Sequence, residues 1–536
     1  MNTDTKSPQA PAGAERTAAT RGIGRWLAIL AGIIAVGVTV GVAELLAAIG
    51  SWTGVTSTAT SASPLFGLGQ TFIQFTPEWL KEFAISIFGT YDKVALKAGM
   101  GLTLVIAAGA LGLVARRKPR LAQIAFGALG VVVAVAVYSR AEAALIDVLP
   151  TVLAVAVGLY VLTKLFTDPQ ITAAVNDPEN RRRFLKFAAG SAGIAVVSGG
   201  LSRLVPTSAG AEQSQTQAAQ TTSALKVDKM PALPAGSSVD VPGVTPFVTA
   251  NADFYRIDTS FVAPKLDATK WQLRIHGMVN HEVTINYSDL LARPLLERMV
   301  TLTCVSNLVG GDLVGNAVWQ GPLIRDLLKE AKPSANADMV MSRSADGFSA
   351  STPLSVLTDE NRDAIFAVTM NGSVLPFEHG FPVRMVVPGL YGYVSATKWV
   401  VELEVTRFDQ QTSYWTDRGW SPMGPIKTAS RIDVPVSFQK FSAGKVAMGG
   451  VAWAQHRGIK SVEVQIDGGD WQPATLSTEV TTDSWRQWSF VWDATPGQHT
   501  VSCRATDSTG ALQDAALRDP IPDGATGYDS TAFTVT

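Results

Sequence analysis

The chain has 536 residues, 47% hydrophobic and 17% charged, with 44 Lys and Arg against 45 Asp and Glu. That length exceeds what one hydrophobic core supports, and a formal net charge of −1 leaves no reason to expect a nucleic-acid partner. Two cysteines, Cys304 and Cys503, and five histidines (His276, His281, His379, His456, His499) occur without any CxxC, CxxCH or Cys/His cluster, which argues against zinc ribbons, iron–sulfur clusters and haem.

Up to about Val205 the chain runs in long Ala-, Gly-, Val-, Leu- and Ile-rich stretches. After a tail at 1–25, segments 26–49, 94–115, 121–138 and 143–166 are long and apolar enough to cross a bilayer, which takes about 20 residues each. They predict a four-helix transmembrane domain over 26–166. Arg21 and Arg25, then Arg116, Arg117, Lys118 and Arg120, then Lys164 with Arg181, Arg182 and Arg183, all fall on one side if the N-terminus is cytoplasmic. Segments 51–63 and 76–88 then lie outside, and Trp79, Phe83 and Phe88 predict a helix on the membrane surface. Glu44, Arg140, Glu142 and Asp147 sit near span ends. They make either a quinone or proton site, or a structural pairing of Arg140 with a carboxylate.

A fifth apolar segment differs from the others. Asn180-Arg181-Arg182-Arg183-Phe184-Leu185-Lys186 precedes a mild, Gly- and Ser-rich run to residue 205. It resembles a twin-arginine export signal, which passes folded proteins; the plainer reading is a positive stop before one more span. Ala209-Gly210-Ala211 has the small residues of a cleavage site. Residues 206–224, rich in Ser, Thr, Gln and Ala, read as a flexible linker.

From Leu225 onward the patterns are those of a soluble domain. Segments 271–276 and 283–285 read as strands, and 288–292 and 322–330 as helices. Residues 299–305 form an alternating strand that ends at Cys304, where Asn307, Gly310 and Gly311 open a loop. A solitary cysteine is commonly a small buried hydrophobe; at such an edge it also suits a nucleophile or a soft metal ligand. Pairing with Cys503 is not expected, because the two belong to separate domains.

Four segments then occur in order: Asn251-Ala-Asp-Phe-Tyr-Arg256, Val300-Thr-Leu-Thr-Cys304-Val-Ser-Asn307, Ala317-Val-Trp319-Gln-Gly321 and Leu375-Pro-Phe-Glu-His379-Gly380-Phe-Pro382-Val-Arg384. Pro388-Gly389-Leu-Tyr-Gly392 and Lys398-Trp399 follow. The series, over about 241–408, resembles the sulfite oxidase superfamily of molybdopterin enzymes. The resemblance implies an α+β molybdopterin domain over 225–410, with Mo-molybdopterin held through Cys304 as the one protein ligand of the metal. It implies that Asn251, Tyr255 and Arg256 meet the pterin and the oxygen face of the metal. It implies that His379 and Arg384 belong to the cofactor-phosphate loop, and that Ser395, Thr397 and Lys398 lie where backbone N–H groups and a lysine close over that phosphate. Two departures accompany it. The arginines that follow the family's cysteine are Leu308 and Val309 here, and its substrate-pocket tyrosine is Phe348. With Arg256 alone for an anion, sulfite is a poor candidate substrate.

Residues 411–435, with Tyr414, Trp415 and Trp420, read as a packed segment between domains. Residues 436–536 carry short alternating strands at 446–454, 462–466, 488–492 and 499–505, with a tight turn at Asp467-Gly468-Gly469. They predict a β-sandwich. It resembles the immunoglobulin-like dimerisation domain of the same superfamily, which implies a homodimer; an adhesion module is the other reading. Trp453, Trp471, Trp485 and Trp492 are assigned to the sandwich core and hairpin packing. The expected whole is a multi-pass protein of the cytoplasmic membrane with its catalytic half outside, exported by the twin-arginine translocase. It would perform two-electron, oxygen-atom-transfer chemistry on a small molecule and pass electrons to a separate carrier or a membrane quinone. Reduction of an S-oxide of the methionine sulfoxide type is one alternative. A non-catalytic binding protein on a retained fold is another.

Overall fold

The computed structural model describes residues 24–56, 62–76, 92–139, 143–168, 178–205, 209–260 and 262–536. The contacts divide the chain into two units, one holding the apolar helices and the other holding Ser208–Thr536. The expected surface helix after residue 76, Arg140 and Glu142 lie outside the described residues.

Among the described residues of the first unit, five helices are long and apolar enough to cross a membrane: Arg25–Thr53, Ala95–Arg117, Pro119–Tyr138, Leu145–Thr167 and Arg181–Ser202. Each lies within a few residues of a segment expected from hydropathy. The Arg25–Thr53 helix packs against three of the others. Its glycine content explains the closeness. A Cβ on Gly32 would lie 2.2 Å from the Ala108 carbonyl oxygen, and one on Gly112 would lie 2.0 Å from that of Ala28. Two backbones meet there, as small residues allow in apolar helix pairs. Glu44 accepts the Ser63 hydroxyl at 2.7 Å and the Leu65 N–H at 3.3 Å. Asp147 is buried and accepts the Ala144 N–H at 2.9 Å, closing the turn before its helix.

The second unit begins with a correction. Residues 206–224, read as a flexible linker, contain the helix Ala209–Ser223. Ala211, Ser214, Ala218 and Thr222 recur every three or four positions and are all buried, so one face of small side chains lies flat on the domain. Ser214 Oγ accepts the Ala268 N–H at 3.1 Å, and Gln215 donates to the Leu375 carbonyl at 2.9 Å. Linker-like composition concealed a helical period.

Two five-stranded sheets form the body of this unit. One orders Val227–Asp228, Leu295–Thr303, Val314–Gly321, Thr369–Met370 and Ser373–Val374; the other orders Val283–Asn286, Gln272–Gly277, Val400–Thr406, Met339–Ser344 and Ser349–Pro353. Leu273, Ile275, Val300, Trp319, Phe366 and Leu403 fill the core. The helices Tyr287–Leu291 and Ile324–Ala331 fall where the sequence placed them. Leu295–Thr303 is covered on both faces over its last five residues, which brings Cys304 to the edge of a rigid, buried strand.

Two further sheets follow, one of four and one of five strands. They share a core of Met448, Val464, Trp488, Val501, Cys503 and Phe533. Asp467 and Gly468 both have positive φ, 51° and 68°, as a two-residue hairpin turn requires. The tryptophan assignments need revision. Trp453 and Trp485 join the core of the first pair of sheets, not that of the second. Trp485, just before the strand Arg486–Ala494, is held from the first pair of sheets: its indole donates to the Phe247 carbonyl at 2.9 Å and its backbone N–H to Thr301 Oγ1 at 2.8 Å. Gln455 likewise donates to the Thr301 carbonyl and to Thr303 Oγ1. Both cysteines are free and buried, and the Cys503 thiol donates to Ser430 Oγ at 3.2 Å.

Candidate cofactor site

The loop after Leu295–Thr303 is closed by its own backbone. The Cys304 N–H donates to the Leu313 carbonyl at 2.9 Å, and the Asn307 N–H donates to that of Cys304 at 3.1 Å. Asn307 Oδ1 accepts the Leu313 N–H at 2.9 Å. Cys304 Sγ lies 2.9 Å from Ser306 Oγ. Burial pushes the thiol above its usual range, so it keeps its proton in the protein alone. A thiol of this kind ionises when a metal cation supplies the opposing charge.

Arg384 begins a short strand, Arg384–Val386, and is buried. Its guanidinium stands 4.9 Å over the Trp319 ring and donates to the His379 carbonyl at 3.2 Å. Burial lowers its pKa to about 10, which leaves it charged at neutral pH. His379 Nε2 faces the Asn251 carbonyl at 2.9 Å, which assigns the proton to that nitrogen. Burial first, then the Arg384 charge, lowers the His379 pKa to about 4, so the ring is neutral. Asn251 is fixed by the Asn371 amide, which donates to its Oδ1 at 2.8 Å. The phenol of Tyr255 is pushed up by burial and by Cys304 and drawn down by Arg384, so it lies within electrostatic reach of both.

A second set of cations converges on one carboxylate. Arg256 Nε and Lys398 Nζ both donate to Asp258 Oδ2, at 3.1 and 2.8 Å. Lys398 also donates to the Glu378 carbonyl at 3.1 Å and stands 4.6 Å over the Trp399 ring. Gly380, with φ 110°, forms the saddle between the two sets: a Cβ there would meet Arg384 Cβ at 3.0 Å and Lys398 Cβ at 3.2 Å.

Of the residues singled out in the sequence, Asn251, His379 and Arg384 form one hydrogen-bonded chain, with Tyr255 and Cys304 in its field. Arg256 and Lys398 are joined through Asp258. Ser395 and Thr397, expected to contribute through the backbone, use their hydroxyls inside the fold. Ser395 donates to the Tyr391 carbonyl at 2.9 Å, and Thr397 meets Ser342 Oγ at 2.7 Å. Phe348 packs on the Tyr414 ring. Asp258 escaped the sequence reading, although its place two residues after Arg256 was a usable signal. The platform role of Trp319 had no such signal.

Residues 260–415 match the family described as the oxidoreductase molybdopterin binding domain. An uncharacterized oxidoreductase of Bacillus subtilis, YuiH, is 30% identical over 181 residues, which cover 34% of this chain and 87% of that protein. The chain belongs to this family of molybdenum-cofactor oxidoreductases. The molybdenum-cofactor domain is also 26% identical over 309 residues to human mitochondrial sulfite oxidase, covering 49% of this chain and 56% of that enzyme. Sulfite oxidase of Arabidopsis thaliana is 26% identical over 332 residues, covering 50% of this chain and 83% of that enzyme. The match thus spans little more than half the length of the human relative. Among solved structures, the sulfane dehydrogenase SoxCD of Paracoccus pantotrophus aligns with 59% of this chain and 91% of its own at 21% identity, with a TM-score of 0.47. The family is one of oxidoreductases.

The residues present fit the cofactor. A buried thiol at a strand edge suits a soft metal. Arg384 and Lys398, on either side of Gly380, suit a phosphate, with Arg384 offering a planar fork. Among the described residues, one other group has ligand chemistry: His276, Glu402 and Glu404. Arg343 already supplies the positive charge there, donating to Glu404 at 2.6 Å and lying 3.4 Å from Glu402.

Proposed function

We propose that the chain is a membrane-anchored molybdenum-cofactor oxidoreductase that acts on a small molecule outside the cytoplasmic membrane by oxygen-atom transfer. The observation that carries the reading is the convergence of Cys304, Tyr255 and Arg384 beside the cationic pair on Asp258. Cys304 would ligate the metal, Arg384 and Lys398 would hold the phosphate, and Arg256 would face the pterin and the oxygen side of the metal. Neutral His379 and the Asn251 backbone fix the orientation of that wall. When bound, the cofactor supplies two-electron chemistry and an exchangeable oxygen. The protein residues bind, orient and exclude water around it.

The five apolar helices support anchoring, the basic clusters support an outside location, and Arg181 to Lys186 support export by the twin-arginine route. The two C-terminal sheets support an immunoglobulin-like domain and a homodimer. Leu308 and Val309, apolar where a dianion site wants arginines, favour reduction of a neutral S-oxide over oxidation of sulfite. Electrons then come from a separate carrier or a membrane quinone.

The test is molybdenum and pterin content of the chain purified from a host that makes the cofactor, beside Cys304→Ala. About one metal per chain is expected, with the metal's electronic spectrum changed in the variant. A folded chain without metal or pterin would falsify the reading.

A further inference from the structure

A cleft of about 350 Å³ opens beside the Cys304 loop and reaches the C-terminal sheets. Its wall includes Thr303 and Asn307, which flank the cysteine, together with Leu308 and Val309. Across from them stand Tyr391, Lys427 and a loop that carries Asp514, Arg518 and Asp523. The volume falls in the lower part of the range for small-molecule sites.

Charge decides what such a cleft accepts. The lining holds two cations and two carboxylates, and they are paired. Lys427 Nζ donates to Asp523 Oδ1 at 2.8 Å and to the Gly524 carbonyl at 2.7 Å. Arg518 lies 3.4 Å from Asp514. A dianion entering here would lose water without gaining an uncompensated cation, and each carboxylate would repel it. Leu308, exposed, and Leu512 offer apolar surface instead.

Tyr391 supplies the polar contact. Its ring is buried, and burial together with nearby acidic groups, Cys304 among them, raises the phenol pKa to about 12. It is therefore a protonated donor near neutral pH. Its oxygen accepts the Lys427 N–H at 3.4 Å, and among the described residues no acceptor takes its proton. Gly524, at φ 100°, makes room for it: a Cβ there would stand 2.6 Å from Tyr391 Oη.

We propose that this cleft is the substrate entrance and that it takes a neutral molecule bearing a hydrogen-bond-accepting oxygen, such as a sulfoxide, with the Tyr391 hydroxyl donating to that oxygen. This rests on the function proposed above and narrows its substrate class.

The test uses the full-length, cofactor-loaded chain in detergent, with methyl phenyl sulfoxide and sulfate as probes and calorimetry as the readout. The sulfoxide is expected to bind and sulfate is not. Tyr391→Phe should weaken sulfoxide binding about tenfold, the worth of one hydrogen bond to a buried donor. Gly524→Ala, which displaces the phenol without removing it, should act in the same direction. Asp523→Asn releases Lys427 and should confer sulfate binding. Sulfate binding tighter than sulfoxide binding in the wild type, or unchanged sulfoxide affinity in Tyr391→Phe, overturns the proposal. Metal and pterin content of the same preparations separates the two failures. A loaded chain that ignores the sulfoxide sinks only the substrate class, and an unloaded one sinks the function beneath it.

Discussion

At the scale of single residues, the site works by desolvation offset by a few fixed partners. His379 gives a measurable consequence. Its pKa falls from the usual 6.5 to about 4 on folding, so between those values the unfolded chain binds the extra proton. Stability therefore rises with pH across that window and is lost as pH drops from about 6.5 toward 4. His379→Gln keeps an amide donor for the Asn251 carbonyl and removes the titration. The acid side of the stability profile should flatten in that variant, measured by thermal unfolding from pH 4 to 7. An unchanged slope would show that His379 does not bear the linkage. Gly380 makes a second prediction. Gly380→Ala would strain a backbone at φ 110° and press on Arg384 and Lys398. Pterin retention should fall in it while the fold persists, as read by released pterin fluorescence beside circular dichroism. The thiol, the arginine and the lysine were legible from ordered motifs. Asp258 stands two residues after Arg256, a signal in the sequence, but its tie to Lys398 came only with the fold.

At the scale of elements, the helix Ala209–Ser223 shows how a composition signal fails. Ser, Thr, Gln and Ala favour a linker on average, yet four small residues at helical spacing are enough when a complementary surface is present. The helix also bears on processing. Ala211 is 5% exposed, and Ala209-Gly210-Ala211 forms the first turn. A peptidase needs that segment extended. If the domain crosses the membrane folded, as proposed, the chain is expected to stay uncut and anchored. Intact-mass measurement checks this, and a species beginning at Glu212 would contradict it. Ala218→Asp, which drives a charge into the buried face, should loosen the helix and raise cleavage.

At the scale of the whole molecule, the two C-terminal sheets are not an appended module. Trp485 and Gln455 reach across to Phe247, Thr301 and Thr303, and the latter two lie on the strand that delivers Cys304. Trp485→Ala removes a fully buried indole and its hydrogen bond to the Phe247 carbonyl. It should cost on the order of 3–5 kcal/mol and lower the unfolding midpoint of the first pair of sheets along with the second. Hydrogen exchange at Leu295–Thr303 reads that coupling; exchange changed only in 436–536 would show the halves to be independent.

The sequence by itself determined the parts whose cause is local. Hydropathy over about 20 residues marks a bilayer-length helix, alternation marks a strand, and Asp467-Gly468 marks a turn. The ordered run from Asn251 to Trp399 marked the family. Tertiary structure alone decided what depends on distant partners: the docking of Ala209–Ser223, the core that claims Trp453 and Trp485, the carboxylate shared by Arg256 and Lys398, and the pairing that leaves the cleft without net charge. Those turn on contacts between segments far apart in the chain, such as Lys398 with Asp258 and Lys427 with Asp523, and a short window along the sequence does not contain both partners.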